Sequence, residues 1–155
     1  MMDKDTQYQE LKDIINFAIE KEQESVDFYK SLLAMVKSHA VAEAIRNIVK
    51  MEERHKASLE KLDIMACARQ LRKQAVHLRI VDYVVEEKPR PEMTLQDLLN
   101  IAMHRESKSI ELYTDLSKLF AKDEKQLFEN LAAEESRHTH AFESKWIAEV
   151  AAEFG

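Results

Sequence analysis

A chain of 155 residues, 45% hydrophobic and 34% charged, suits a single domain, residues 1–155, built from amphipathic helices in water. The only glycine is Gly155 and the only cysteine is Cys67, which excludes glycine-rich phosphate loops, nucleophile elbows and disulfides within the chain. A formal net charge of −6, with no long basic run and no long apolar run, predicts a cytoplasmic protein that binds neither nucleic acid nor membrane.

Four long helices are predicted from a sustained hydrophobic periodicity of about 3.6 residues. They cover residues 6–37, 40–70, 95–120 and 123–150, none of which contains an internal glycine or proline. The helical rhythm stops in segment 71–94, and Thr94 with Asp97 three residues later predicts the cap that restarts it. Because extended chain covers about 3.3 Å per residue, this segment is long enough to form one long crossover between helices 2 and 3.

The apolar core stripe of every predicted helix is interrupted near its middle by a glutamate, or by a glutamate and a histidine. The interrupting residues are Glu22, then Glu52 and His55, then Glu106, then Glu135 and His138. A bare carboxylate in an apolar core costs several kcal/mol, and four clustered carboxylates also repel each other. The pattern therefore predicts that something cationic lies among them.

The chain is an internal duplication of a helix hairpin. The repeated positions are Glu22, Ser25 and Tyr29 with Glu106, Ser109 and Tyr113, and Glu52 and His55 with Glu135 and His138. The two glutamates of each hairpin lie at similar distances from the connecting turn, so at about 1.5 Å per residue they return to the same height. The repeat thus predicts a pseudo-twofold bundle of four helices with all four glutamates in one layer.

The spacing Glu-x-x-His places a carboxylate and an imidazole one turn apart on the same helix face, where both reach one ion. The motif is weak alone. However, this chain contains it only as Glu52/His55 and Glu135/His138, both in core stripes and at equivalent repeat positions. Carboxylate and imidazole ligands suit Fe or Mn, so the sequence predicts a metal centre.

This constellation resembles the ferritin-like di-iron carboxylate family, and the pattern Ala-x3-Glu-x2-Ser-x2-Phe-Tyr is closest to its rubrerythrin branch. The resemblance implies an all-α, ferritin-like four-helix bundle that binds two Fe ions, with Mn or Zn as substitutes. It implies that Glu22 and Glu106 are terminal carboxylates and that Glu52 and Glu135 are bridging carboxylates. It further implies that His55 and His138 each supply one iron with a nitrogen ligand. It also implies that Tyr29 and Tyr113 form hydrogen bonds to the ligand carboxylates.

The sequence departs from rubrerythrins in three ways. It lacks the four iron-binding cysteines of a rubredoxin module, so we expect an external electron donor. Ser109 stands where rubrerythrins commonly carry an extra glutamate that lets one iron change ligands during peroxide reduction, so peroxidase activity does not follow from the resemblance. Segment 71–94 is also longer than the crossover usual in that branch.

The leading functional prediction is an oxidoreductase, expected as a homodimer, whose di-iron centre reacts with O2 or H2O2. Two alternatives stay open at this point: a ferroxidase or iron-storage protein of the ferritin-like superfamily, and an interaction module that the metals only stabilise. Glu53 and Glu134 neighbour the predicted ligands but fall outside the core stripes, so we expect them to face solvent.

Overall fold

The computed structural model describes residues 4–71 and 78–154, and all regular structure in those two ranges is helical. The helices are α1 (Lys4–Leu33), α2 (His39–Glu60), α3 (Ile64–Gln70), α4 (Leu95–Ser117) and α5 (Lys122–Phe154), with a 3-10 turn at Ile80–Tyr83. The predicted all-α class is confirmed, and α1, α2, α4 and α5 are the four long helices of the bundle. No helix in the described ranges combines the length and apolar character that crossing a membrane requires.

Side-chain caps fix where the helices begin. The Thr94 hydroxyl accepts from Asp97 N over 3.1 Å and the Asp97 carboxylate accepts from Thr94 N over 3.0 Å, which is the predicted capping box at the start of α4. Helix α1 ends at Leu33, four residues before the predicted end, and α5 extends four residues beyond its predicted end, to Phe154. The largest difference concerns the second predicted helix. The helix expected over 40–70 ends at Glu60, and α3 starts after Asp63, because the Asp63 carboxylate accepts from Ala66 N over 3.1 Å and caps a new helix.

Contacts between side chains give the directions of the four long helices. Helix α1 packs on α2, α4 packs on α5, and α2 packs on α5. Lys56 reaches Gln23 while Lys30 reaches Glu53, so α1 and α2 run in opposite directions. Tyr113 reaches Glu22 while Tyr29 reaches Glu106, so α1 and α4 also run in opposite directions.

Helices α2 and α4 therefore run in the same direction, and the chain between them has to return along the bundle. Within this connection, α3 packs on α1 and the 3-10 turn packs on α4. The Tyr83 hydroxyl donates to Asp115 over 2.7 Å and Lys21 donates to the Tyr83 carbonyl over 3.3 Å, which fastens the turn to two helices. Residues 72–77 of the predicted crossover lie outside the described residues, so its complete path stays a prediction.

The apolar core consists of two clusters of buried side chains. One contains Leu32, Ile45 and Trp146, and the other contains Leu11 and Phe128. In each long helix the interrupting glutamate falls between the residues that join the first cluster and those that join the second. The fold thus places a polar layer at the middle of the bundle, closed by apolar side chains on both sides.

The capping box gives the first prediction. Replacing Thr94→Ala removes the acceptor for Asp97 N at the start of α4, and we expect the free energy of unfolding to fall by about 1 kcal/mol. The measurement is urea denaturation followed by circular dichroism. Thr94→Ser keeps the hydroxyl and is the matched control, so an equal loss in both variants would contradict the capping role.

Candidate metal centre

Each long helix contributes one buried glutamate to the polar layer. The exposed fraction is 1% for Glu22, Glu52 and Glu106 and 0% for Glu135. Carboxylates are rarely buried this completely unless they are paired or bind a cation. The structure therefore brings together the four glutamates that interrupt the predicted core stripes.

Four side chains form the tightest part of the layer. Glu22, Glu52, His55 and Glu135 each offer one ligand atom, and these atoms all lie within 4.8 Å of one another. His55 Nδ1 is 3.1 Å from Glu135 Oε1 and 3.8 Å from Glu22 Oε2. Three carboxylates and one imidazole nitrogen thus converge on a single small volume.

Glu106 lies beside this cluster and shares a hydrogen bond with Glu135. Its Oε1 accepts from the Tyr29 hydroxyl over 3.2 Å and its Oε2 accepts from the Thr139 hydroxyl over 3.3 Å. The role of Thr139 was missed from the sequence, although it lies one turn beyond Glu135 on the same face of α5. These two donors hold the Glu106 carboxyl group in place.

Two tyrosines reach across between α1 and α4. Tyr29 of α1 donates to Glu106 of α4, and Tyr113 of α4 donates to Glu22 of α1. Burial, followed by the charge of the carboxylate that each one contacts, raises the pKa of both tyrosines well above the usual value. Both hydroxyls therefore keep their protons and act as donors at neutral pH.

Like Glu106, His138 is a predicted ligand that lies outside this cluster of four side chains. It is half-buried, and it forms no hydrogen bond with any of the described residues. Its repeat equivalent His55 is only 2% exposed and contacts two carboxylates. The ligand role of His138 stays a prediction.

Glu134 does not face solvent as predicted. Its side chain is 27% exposed, and its Oε2 lies 3.2 Å from His55 Nε2 and 3.7 Å from Arg54 Nη2. The core stripe of α5 gave no signal for this contact, because Glu134 reaches a residue of a different helix. Glu53 is exposed as predicted and pairs with Lys30.

The charges in the layer are unevenly distributed among the carboxyl groups. Burial, then the charge of Glu135, raises the pKa of Glu22 to about 7 and those of Glu52 and Glu106 well above their usual value. Burial acts in the same direction on Glu135, but hydrogen bonds from Glu106, His55 and Glu52 outweigh it and lower the pKa of Glu135 to about 2. One carboxylate is thus ionised while its neighbours favour their protonated forms.

Several buried oxygens of the cluster have no donor to satisfy them. No hydrogen-bond donor among the described residues pairs with Glu22 Oε2, Glu52 Oε1 or Glu135 Oε2. An unsatisfied buried carboxylate oxygen is costly, and a cation coordinated by these oxygens would remove that cost. The donor set is therefore consistent with metal binding, and its carboxylate and imidazole chemistry fits Fe, Mn or Zn.

Comparison with known proteins adds one finding. A family model described as Rubrerythrin matches residues 13–145, a range that contains all six predicted ligands and both tyrosines. Neither curated proteins nor solved structures gave a significant match.

The shifted pKa values predict how stability depends on pH without metal. The raised pKa of Glu22 contributes stability that is present below about pH 4.5 and lost as the pH rises through about 7. The raised pKa of His55, where contacts with Glu135 outweigh burial, acts in the same direction above pH 6.5. We therefore expect chelator-treated protein to lose about 1–2 kcal/mol of unfolding free energy between roughly pH 5.5 and 7.5.

Urea denaturation at both pH values measures this loss. Glu22→Gln removes one of the titrating groups and should make the dependence on pH shallower. A metal-free protein that becomes more stable as the pH rises over this range would show the expected sign to be wrong.

Proposed function

This chain belongs to the rubrerythrin family, a ferritin-like di-iron family, and on that premise we propose that it is a di-iron oxidoreductase that reacts with O2 or H2O2. The observation that supports the proposal most strongly is the convergence of Glu22, Glu52, His55 and Glu135 within 4.8 Å. Their buried, donorless oxygens need positive charge. Four ionised carboxylates balance the charge of two Fe²⁺ ions.

The proposed ligands follow the repeat. Glu22 and Glu106 would hold the ions as terminal carboxylates, and Glu52 and Glu135 would hold them as shared carboxylates. His55 supplies a nitrogen to one position, and His138 is proposed for the other. Two iron ions held there would supply redox chemistry in which each ion exchanges one electron with O2 or H2O2.

The chain's own residues orient the ligands and keep water out. Tyr29 and Tyr113 hold the terminal carboxylates by hydrogen bonds from hydroxyls that remain protonated at neutral pH. Packing of Tyr29 on Phe142 and of Tyr113 on Phe128 encloses the layer in aromatic side chains. Oriented donors in a dry site hold the carboxylates without reorganisation during the reaction.

Electrons have to come from another molecule in this proposal. Cys67 is the only cysteine of the chain, it is buried, and burial raises the pKa of its thiol to about 11. A single protonated thiol cannot form a redox-active disulfide within the chain. We therefore propose an external reductant that restores the reduced centre after each oxidation.

The proposal is tested by metal content and by oxidation kinetics. Anaerobic protein should bind two Fe²⁺ ions per chain, show a higher melting temperature than the metal-free form, and oxidise Fe²⁺ faster than free Fe²⁺ when mixed with O2 or H2O2. Added reductant should return it to the ferrous form for further turnovers. Iron uptake far beyond two ions per chain would instead indicate storage.

Glu135→Gln provides the decisive variant because Glu135 contacts His55 and shares a hydrogen bond with Glu106. We expect it to lower iron binding and to reduce the oxidation rate to that of free Fe²⁺. Glu129→Gln changes an exposed glutamate of the same helix, paired only with Lys125, and should behave as wild type. Equal activity in the two variants would refute the proposed site.

Ser109 governs the expected choice of oxidant. It is 4% exposed and lies one turn beyond Glu106 on α4, so Ser109→Glu would place a further carboxylate beside the centre. We expect this substitution to raise the ratio of the H2O2 rate to the O2 rate several-fold, measured by stopped-flow mixing. Ser107→Glu adds the same charge to an exposed position of α4 and is the control. An unchanged ratio in Ser109→Glu would contradict the prediction.

A further inference from the structure

The two histidines of the repeat have different surroundings. His55 lies between two adjacent glutamates of α5, with Nδ1 3.1 Å from Glu135 Oε1 and Nε2 3.2 Å from Glu134 Oε2. His138 has neither contact and is half-buried. The difference needs an explanation because the two histidines occupy equivalent positions of a duplicated hairpin.

The explanation lies in the residue that precedes each glutamate of the two Glu-x-x-His motifs, because this residue differs between the two halves. Glu134 precedes Glu135, and at the same offset of 83 residues Met51 precedes Glu52. Met51 is fully buried in the apolar cluster that contains Leu32 and Ile45. A thioether cannot replace a carboxylate as a strong hydrogen-bond acceptor, so the second half lacks the group that holds His55.

A metal-binding histidine needs this kind of partner. An imidazole that binds a cation through one nitrogen keeps its proton on the other, and an acceptor at that N–H fixes both the tautomer and the ring orientation. With Nε2 facing Glu134, the Nδ1 edge of the His55 ring faces Glu135 and Glu22. Nδ1 can therefore donate to Glu135 in the metal-free protein and would offer its lone pair to a cation bound between these carboxylates. The Arg54 guanidinium lies 3.7 Å from Glu134 and helps to hold it there.

We propose that Glu134 is a positioning residue for His55, and that the two metal positions are therefore unequal. The position formed by Glu22, Glu52, His55 and Glu135 fills first and binds its ion more tightly. The position that relies on Glu106 and His138 fills second, because Met51 offers His138 no acceptor. This inference rests on the proposed di-metal function and adds an order of loading to it.

The test is a titration of the metal-free full-length protein with Co²⁺, followed by visible absorption and calorimetry. Wild-type protein should bind two ions in two separate steps, the first at least about tenfold tighter than the second. Glu134→Leu should weaken the first step by about 10- to 100-fold and leave the second unchanged. Glu134→Gln, which keeps an acceptor oxygen, should restore most of the first affinity.

Glu53→Leu is the matched control because Glu53 also neighbours a ligand glutamate but pairs with exposed Lys30. It should leave both steps unchanged. Because Glu134 is partly exposed, we expect its variants to fold. Circular dichroism, which measures their helix content, verifies this. Two steps of equal affinity, or no change of the first step in Glu134→Leu, would overturn the inference while the proposed function stands.

A spectroscopic measurement separates positioning from general stabilisation. With one equivalent of Zn²⁺, the imidazole Nε2–H proton of His55 should exchange slowly with water in wild type and fast in Glu134→Leu, observed by nuclear magnetic resonance. Glu134→Gln should slow the exchange again. Fast exchange in wild type would overturn the role of Glu134, and failure to bind Co²⁺ or Zn²⁺ at all would overturn the proposed function as well.

Discussion

The burial of four carboxyl groups in one layer of an apolar bundle is the constraint on which the rest of this structure depends. Apolar clusters close the layer on both sides, so water cannot solvate the charges and the protein must supply protons, donors or cations instead. The protein supplies donors sparingly. Tyr29 and Thr139 donate to Glu106, and Tyr113 donates to one oxygen of Glu22. One oxygen each of Glu22, Glu52 and Glu135 has no hydrogen-bond donor. Because hydrogen-bond donors reach only some of the carboxylate oxygens, a cation would be most stabilising among the oxygens that have no donor.

The sequence predicts this layer well because each interruption of a core stripe is a property of one helix. A glutamate in phase with leucines and isoleucines reveals itself through periodicity alone, and the duplicated hairpin brings the four glutamates to one height. The break after Glu60 is a different case. Asp63, which caps the start of α3, lies off the apolar stripe, so the stripe continues unbroken past the end of α2. Periodicity cannot register a local hydrogen bond that starts another helix.

Periodicity within one helix cannot predict every contact between helices. Thr139 was accessible from the sequence, since it follows Glu135 by one turn and faces the same side of α5. Glu134 was not, because its contact with His55 depends on how far apart α2 and α5 pack and how each is rotated about its axis. A residue just off the stripe looks solvent-facing on its own helix and still reaches a buried imidazole on another.

The duplication explains both what the two halves share and where they differ. A repeat of backbone and core stripe fixes which residues enter the layer, so Glu22 matches Glu106 and Tyr29 matches Tyr113 in position and in contact. The surroundings of the two histidines depend instead on the residue that precedes each buried glutamate of α2 and α5, and at that position the two copies have diverged. Met51 and Glu134 occupy equivalent places, yet one packs in the core and the other holds a histidine. A duplicated scaffold can therefore give its two histidines different surroundings without any change in the buried glutamates and histidines themselves.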